Sequence, residues 1–484
     1  MPSITFLGAA RTVTGSKYLL DTGAAKVLID AGLFQGLKEL RERNWQEFPI
    51  KPADIDAVVL THAHLDHCGY LPRLVAQGFR GRVFCTAGTQ DLCRIVLPDS
   101  GRIQEEDAAN ANRHGFSKHA PALPLYGETD AFRAVSQLQP VGYDRPVPVA
   151  ADVEVEFINA GHLLGSSYVR LKSGGRTILF GGDLGRFNRP VLPDPTMIPE
   201  ADYLLVESTY GNRVHEPDDD GSRLAEIISA TAGRGGRVII PAFAIGRVEE
   251  LLYWVKRLEE ERRIPVLPVF VDSPMALEAL ARYTERIREL DPEMQPDARD
   301  DKAPHGRADH HDTSEARRQH ARAERQLCVF CTERFKAVTT AAESKQVTQS
   351  KTPSIVISAS GMATGGRVLH HLKAALPDGR NTVLFAGYQA AGTRGRQLVE
   401  GQKSVRIHGE TIPVHARVEQ LDSMSAHADS TEILHWLGGF TRPPRTTFIV
   451  HGEVAAMEAL AALIEAKLGW TTRMPEHQER IELA

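Results

Sequence analysis

The sequence predicts an α/β protein in which one α/β domain interrupts another. Three observations carry this. At 484 residues the chain is too long for one ordinary core. Short apolar runs alternate with helical ones from end to end. In the first and last parts these runs end in a histidine or carboxylate, often beside glycine, whereas the middle part has a different texture.

"SITFLGA", "KYLLDTG", "KVLIDAG", "DAVVLTH" and "RVFCTAG" read as strands, with a helix at "LPRLVAQG" before the last of them. "VEVEFINAGH", "RTILFGGDLG" and "ADYLLVESTYG" continue the series, each an apolar strand feeding a polar loop. After Tyr210 the chain alternates helices ("SRLAEIISATA", "GRVEELLYWVKRLEEE") with parallel-type strands ("GRVIIPAFA", "PVLPVFVDS"). "PSIVISASGMATGGRVLHHLKAAL" and "NTVLFAGYQAAGTRGRQL" each read as strand, glycine turn and helix. The closing stretches "IPVHARVEQLDSMSAHAD" and "RTTFIVHGE" return to strands that end in histidine. The first domain therefore spans residues 1–210 and 393–484, with the insertion at 211–392. Within the insertion, Pro292 to Arg325 is polar and charged and is expected to be solvated, including His305, His310, His311 and His320.

A formal charge of -5 excludes an all-over basic coat for nucleic acid but leaves a local basic groove open. "MPSITFLGAA" lacks the features of a signal peptide, and no stretch is long enough to span a bilayer, so the protein is read as cytoplasmic with no membrane partner. The 5 cysteines are scattered, as expected of reduced thiols, and Cys328 and Cys331 form a lone CxxC without a second pair.

The densest chemistry lies in "LTHAHLDHCGYLP", where His62, His64, Asp66 and His67 follow an apolar run. A cluster of imidazoles repels itself on protonation and offers a core nothing that leucine lacks, so it indicates a metal. His62 and His64 alternate by two and would point the same way from a strand end, while a following turn would bring Asp66 and His67 to a neighbouring position. One segment would then serve two ions. His162 in "NAGHLLGS", Asp183 in "FGGDLG" and His451 in "FIVHGE" supply further candidates at strand ends, with Asp183 able to bridge two cations.

Together these motifs resemble the metallo-β-lactamase-fold nucleases with an inserted β-CASP domain, of the cleavage-and-polyadenylation-specificity-factor-like RNA-processing kind. The resemblance covers nearly the whole chain. It implies an αββα sandwich for the outer segments and an inserted β-CASP α/β domain. It also implies two zinc ions held by His62, His64, Asp66, His67, His162, Asp183 and His451, with Asp30 in "VLIDAG" orienting a ligand from behind. Glu207 in "LVESTYG", His427 in "SMSAHAD" and His451 in "VHGE" match the three β-CASP motifs. Histidine at the third motif marks RNA-directed members.

The resulting expectation is a zinc ribonuclease acting on single-stranded RNA. Asp66, Glu207 and His427 are its catalytic residues, with His427 donating a proton to the leaving alkoxide. Ser360, Gly361 and Met362, in a glycine-rich turn, are candidates for holding an RNA phosphate, and Arg186, Arg189, Arg213 and Arg247 for lining a groove. A small-molecule metallohydrolase and an inactive RNA-binding subunit are the rival readings, and a homodimer is left open.

Overall fold

The computed structural model describes residues 2–484 except 116, 118, 218, 296–328, 388, 390 and 391. They form two compact units: Met1–Asn188, Asp194–His215 and Ala426–Ala484 in the first, and Arg189–Pro193 with Glu216–Ser425 in the second. Most of the polar stretch expected to be solvated, its four histidines and Cys328 lie outside the described residues.

The first unit contains two seven-stranded sheets. One runs β22 (Arg480–Glu482), β1 (Ser3–Phe6), β2 (Tyr18–Asp21), β3 (Lys26–Ile29), β4 (Ala57–Val59), β5 (Arg82–Thr86) and β6 (Leu138–Val141). The other runs β21 (Thr472–Arg473), β20 (Thr446–Val450), β11 (Tyr203–Glu207), β10 (Arg176–Phe180), β9 (Ser167–Ser173), β8 (Val153–Asn159) and β7 (Val147–Ala150). Ile4, Phe6 and Val27 from one sheet share a buried cluster with Val155, Phe157 and Phe448 from the other. The rings of Phe6 and Phe448 lie 5.3 Å apart.

Helices cover the outer faces. Ile433 and Trp436 of the helix Ser430–Leu437, and Met457 and Leu460 of Val454–Leu468, pack on Leu179, Leu204 and Ile449. This double cover explains why β11, "YLLVE", is buried at every position and shows no alternation. The helix Ala87–His114 lies against β5 and β6. The result is the αββα sandwich.

Strand direction positions the site. β10, β11 and β20 are mutually parallel, and β8 is antiparallel to β9, which is antiparallel to β10. All four therefore end at one edge, and the segments leaving them carry Asp183, Glu207, His451 and His162.

The second unit is built on a six-stranded, wholly parallel sheet: β14 (Phe335–Ala337), β13 (Val269–Val271), β15 (Ile355–Ser358), β12 (Val238–Pro241), β16 (Thr382–Ala386) and β19 (Arg417–Leu421). The sequence reading returned the chain to the first domain at 393. In the structure the chain stays with the second compact unit through Ser425, because β19 pairs with β16 from Arg417 to Leu421 and the hairpin β17 (Ser404–Ile407) and β18 (Glu410–Pro413) packs with this unit's core through Val405, Ile407 and Ile412. No described helix is long and apolar enough to cross a membrane.

At the end of β13 a fully buried Asp272 accepts from Ser344 Oγ at 2.5 Å, His371 Nε2 at 2.7 Å and Arg367 Nη1 at 2.8 Å. Removing that carboxylate strands three donors inside the unit. Asp272→Ala should therefore destabilise the second unit by roughly 3–5 kcal/mol. Denaturant unfolding checks this, and an unchanged midpoint would contradict it.

Candidate metal centre

β4 ends at Val59, so His62 stands on the loop after the strand, not on its extended end as the spacing suggested. A single helical turn, Leu65–Cys68, begins after His64 and presents Asp66 and His67. Close backbone approach holds this segment: a Cβ on Gly32 would lie 1.6 Å from the Asp66 carbonyl oxygen, so only glycine fits there. Asp30 (φ 59°) and His451 (φ 50°) both adopt the left-handed backbone that L residues avoid. Such strain collects where side-chain direction matters more than local comfort.

The seven expected ligands come together. His62, His64, His162 and Asp183 form one group of mutually close donor atoms, and Asp66, His67 and His451 a second. Asp183 faces both. Its Oδ2 lies 3.4 Å from His62 Nε2 and 3.5 Å from His162 Nε2, while its Oδ1 lies 3.1 Å from His67 Nε2 and 3.6 Å from His451 Nε2. Asp66 Oδ2 is 3.5 Å from His451 Nε2.

The other nitrogen of each buried imidazole is already engaged. His67 Nδ1 donates to Asp30 Oδ2 at 2.7 Å, His162 Nδ1 to the Ala426 carbonyl at 3.1 Å, and the Nδ1 atoms of His62 and His451 each meet a threonine hydroxyl, of Thr61 and Thr209, at 3.1 Å. Asp30 is in turn held by the Thr61 amide at 2.8 Å and by its hydroxyl. These contacts aim Nε2 of each ring inward.

The donor set fits a cation. His64 Nδ1 lies 3.1 Å from His62 Nε2 and 3.2 Å from His162 Nε2, and the Nε2 atoms of His67 and His451 approach to 3.2 Å. Asp183 Oδ1, buried, has no well-aligned hydrogen bond. Ring nitrogens and carboxylate oxygens crowded this closely are what a metal ion satisfies. Burial pulls His62 down to about 3 and His64 to about 4, so both rings stay neutral and able to ligate. Burial also opposes charge on Asp183, but His451 and His67 outweigh it and hold the carboxyl well below the usual range.

Beside this cluster, His427 Nδ1 lies 3.1 Å from both oxygens of Glu207, and Glu207 Oε1 also accepts from the Leu184 amide at 2.7 Å. Burial works against a charged His427, yet Glu207 and Asp183 prevail and push it up to about 9. His215 escaped the sequence reading. Its Nε2 donates to the His427 carbonyl at 3.0 Å, and its amide donates to Asp429 at 2.7 Å. "NRVHEP" follows no strand, so nothing in its pattern marked it out.

Three expected groove arginines are in ion pairs: Arg186 Nε bonds Glu432 at 3.1 Å, and Arg189 and Arg247 both bond Glu250. Arg213 is exposed. Ser360, Gly361 and Met362 belong to the second unit, on the loop after β15; the helix there starts only at Val368, so they do not open it as the sequence suggested.

An αββα sandwich with clustered histidines and carboxylates at one strand edge, plus a second parallel α/β unit, defines a metal-dependent hydrolase of composite build. Comparison with known proteins agrees. Residues 11–79 match the metallo-β-lactamase superfamily, 248–398 the β-CASP domain, and 411–475 a "Zn-dependent metallo-hydrolase RNA specificity domain". The chain is 38% identical to Ribonuclease TTHA0252 of Thermus thermophilus, over 94% of each protein. It is 29% identical to the transcription termination factor FttA of Methanocaldococcus jannaschii, over 99% of this chain and 71% of that one. A crystal structure of a protein of unknown function from Enterococcus faecalis covers the whole chain at a TM-score of 0.51 and 15% identity, a likeness of fold alone. The chain belongs to the β-CASP family of metallo-β-lactamase-fold hydrolases, and it is a metal-dependent enzyme.

If Asp30 orients His67, Asp30→Asn should weaken metal binding about 10–100-fold without unfolding the chain. Competition with a chromogenic chelator measures this, and wild-type affinity in the variant would contradict it.

Proposed function

We propose that the chain is a dinuclear zinc ribonuclease that hydrolyses phosphodiester bonds of single-stranded RNA. The observation that carries this reading is Asp183, whose two oxygens face two separate sets of ligands. His62, His64 and His162 would hold one ion, Asp66, His67 and His451 the other, and Asp183 both. Imidazole and carboxylate donors without thiolate suit zinc, and the matched domain description names zinc. When bound, the pair supplies Lewis-acid charge at the scissile phosphate and makes water acidic enough to attack near neutral pH.

This chain's own residues supply the rest. Glu207 accepts from Nδ1 of His427 and keeps that ring protonated at neutral pH, leaving Nε2 as the atom that gives its proton to the departing 3′-oxygen. The Leu184 amide fixes Glu207, and the His215 imidazole fixes the backbone of His427. RNA as substrate is supported by the ribonuclease and the termination factor among the relatives, which also suggests a role in RNA processing or termination. Ser360, Gly361 and Met362 are proposed to hold an RNA phosphate.

His427→Ala should slow cleavage of ordinary RNA by roughly 10²–10⁴-fold while metal content stays at the wild-type level. A substrate with sulfur at the scissile 3′ position needs no protonation of its leaving group, so this variant should cleave it at nearly the wild-type rate. His62→Ala should cleave neither. Equal damage to both substrates in His427→Ala would remove His427 from the acid role.

A further inference from the structure

Away from the metal-ligand cluster, the first unit holds a half-open recess of about 360 Å³, counting its mouth, walled by Lys17, Phe34, Arg43, Tyr70, His477 and Glu47 among others. Three basic groups gather around the Phe34 ring. Lys17 is only 4% exposed; its amine lies 4.3 Å from the ring centroid and donates to the Gly32 carbonyl at 2.6 Å. The Arg43 guanidinium lies 5.5 Å from the same centroid, and the His477 ring meets Phe34 edge-on at 5.9 Å. His477 Nδ1 is buried with no hydrogen-bond partner.

No carboxylate among the described residues pairs with any of the three. Nearby acids are taken elsewhere: Glu42 pairs with Lys38 and Glu476 with Arg11. Glu47 lines the recess, is exposed, and forms no ion pair with these groups. Burial alone brings the Lys17 amine down to about 7, and burial together with Arg43 and Lys17 brings His477 down to about 4. The Lys17 shift reports loss of water around the amine, and the His477 shift adds the nearby charge of Arg43 and Lys17 to its own burial.

We propose that this recess is a binding site for a phosphate-type oxyanion. Lys17 has further N–H donors beyond the one given to Gly32, Arg43 offers a planar fork, and His477 offers Nδ1. Donors that converge from several directions suit a tetrahedral anion better than a planar carboxylate. The aromatic walls of Phe34 and Tyr70 keep water from competing on two sides. The site also touches the ligand segment. Gly32, whose carbonyl Lys17 holds, packs against the Asp66 backbone, and the neighbouring Ser16 amide donates to the Asp66 carbonyl at 2.8 Å. The anion is either free phosphate or a phosphate of a bound RNA strand, and the chemistry of the recess is the same for both.

Titrating the metal-loaded protein with inorganic phosphate by calorimetry tests this. Phosphate bound at the metal ions is common to every variant, so the differences between variants report the recess. Arg43→Gln should weaken one binding event by about tenfold or more, Lys17→Met should abolish it, and Glu47→Gln should strengthen it, all with unchanged metal content. Arg43 is partly exposed and decides the matter even if Lys17→Met fails to fold. If Arg43→Gln also lowers affinity for a single-stranded RNA oligonucleotide, the anion is an RNA phosphate; if RNA affinity is unchanged while phosphate affinity falls, it is free phosphate. Isotherms for Arg43→Gln that match the wild type would overturn the proposal.

Discussion

A buried carboxylate set between two groups of imidazoles is the constraint on which the first unit depends. Asp183 is 2% exposed, and four histidine nitrogens lie within 3.6 Å of its oxygens. Nothing apolar would assemble such a group, because each ring gives up water and gains another ring's lone pair. The cluster persists only if the outer nitrogens are held by other partners, and they are: by Asp30, the Ala426 carbonyl, Thr61 and Thr209. The fold supplies these partners from four separate stretches of chain.

That requirement explains features of the sandwich that packing alone does not. Four strands of one sheet end at a common edge, so that His162, Asp183, Glu207 and His451 leave it together. Gly182, with φ 54°, lets the Asp183 loop pass Thr61 where a Cβ would lie 3.0 Å from the threonine Cβ. Asp30 and His451 accept left-handed backbone to face their partners. Residues 426–429 return from the second unit and bring the Ala426 carbonyl and His427 with them.

Much of this was legible in the sequence. HxHxDH has few readings other than a metal site, and the later candidates shared one sign, a polar residue directly after an apolar strand. The fold class followed from strand and helix periodicity. The return point at 426 did not, because "ARVEQL" pairs with the distant strand Thr382–Ala386, and pairing between distant segments leaves no local periodicity. His215, Thr61 and Thr209 were also out of reach: they act by hydrogen bonds to a ligand, to Asp30 or to the segment that carries His427, and a single histidine or threonine in a loop carries no pattern. The ion-paired arginines show the converse, since a motif-adjacent arginine reads the same in sequence whether it faces solvent, substrate or a glutamate.

Anomalous diffraction at the zinc edge, from crystals of the metal-loaded protein, tests the central claim most directly. The account predicts two peaks about 3.5–4 Å apart on either side of Asp183, one among His62, His64 and His162 and the other among Asp66, His67 and His451. A single peak, or peaks that leave Asp183 outside the coordination of either ion, would contradict it.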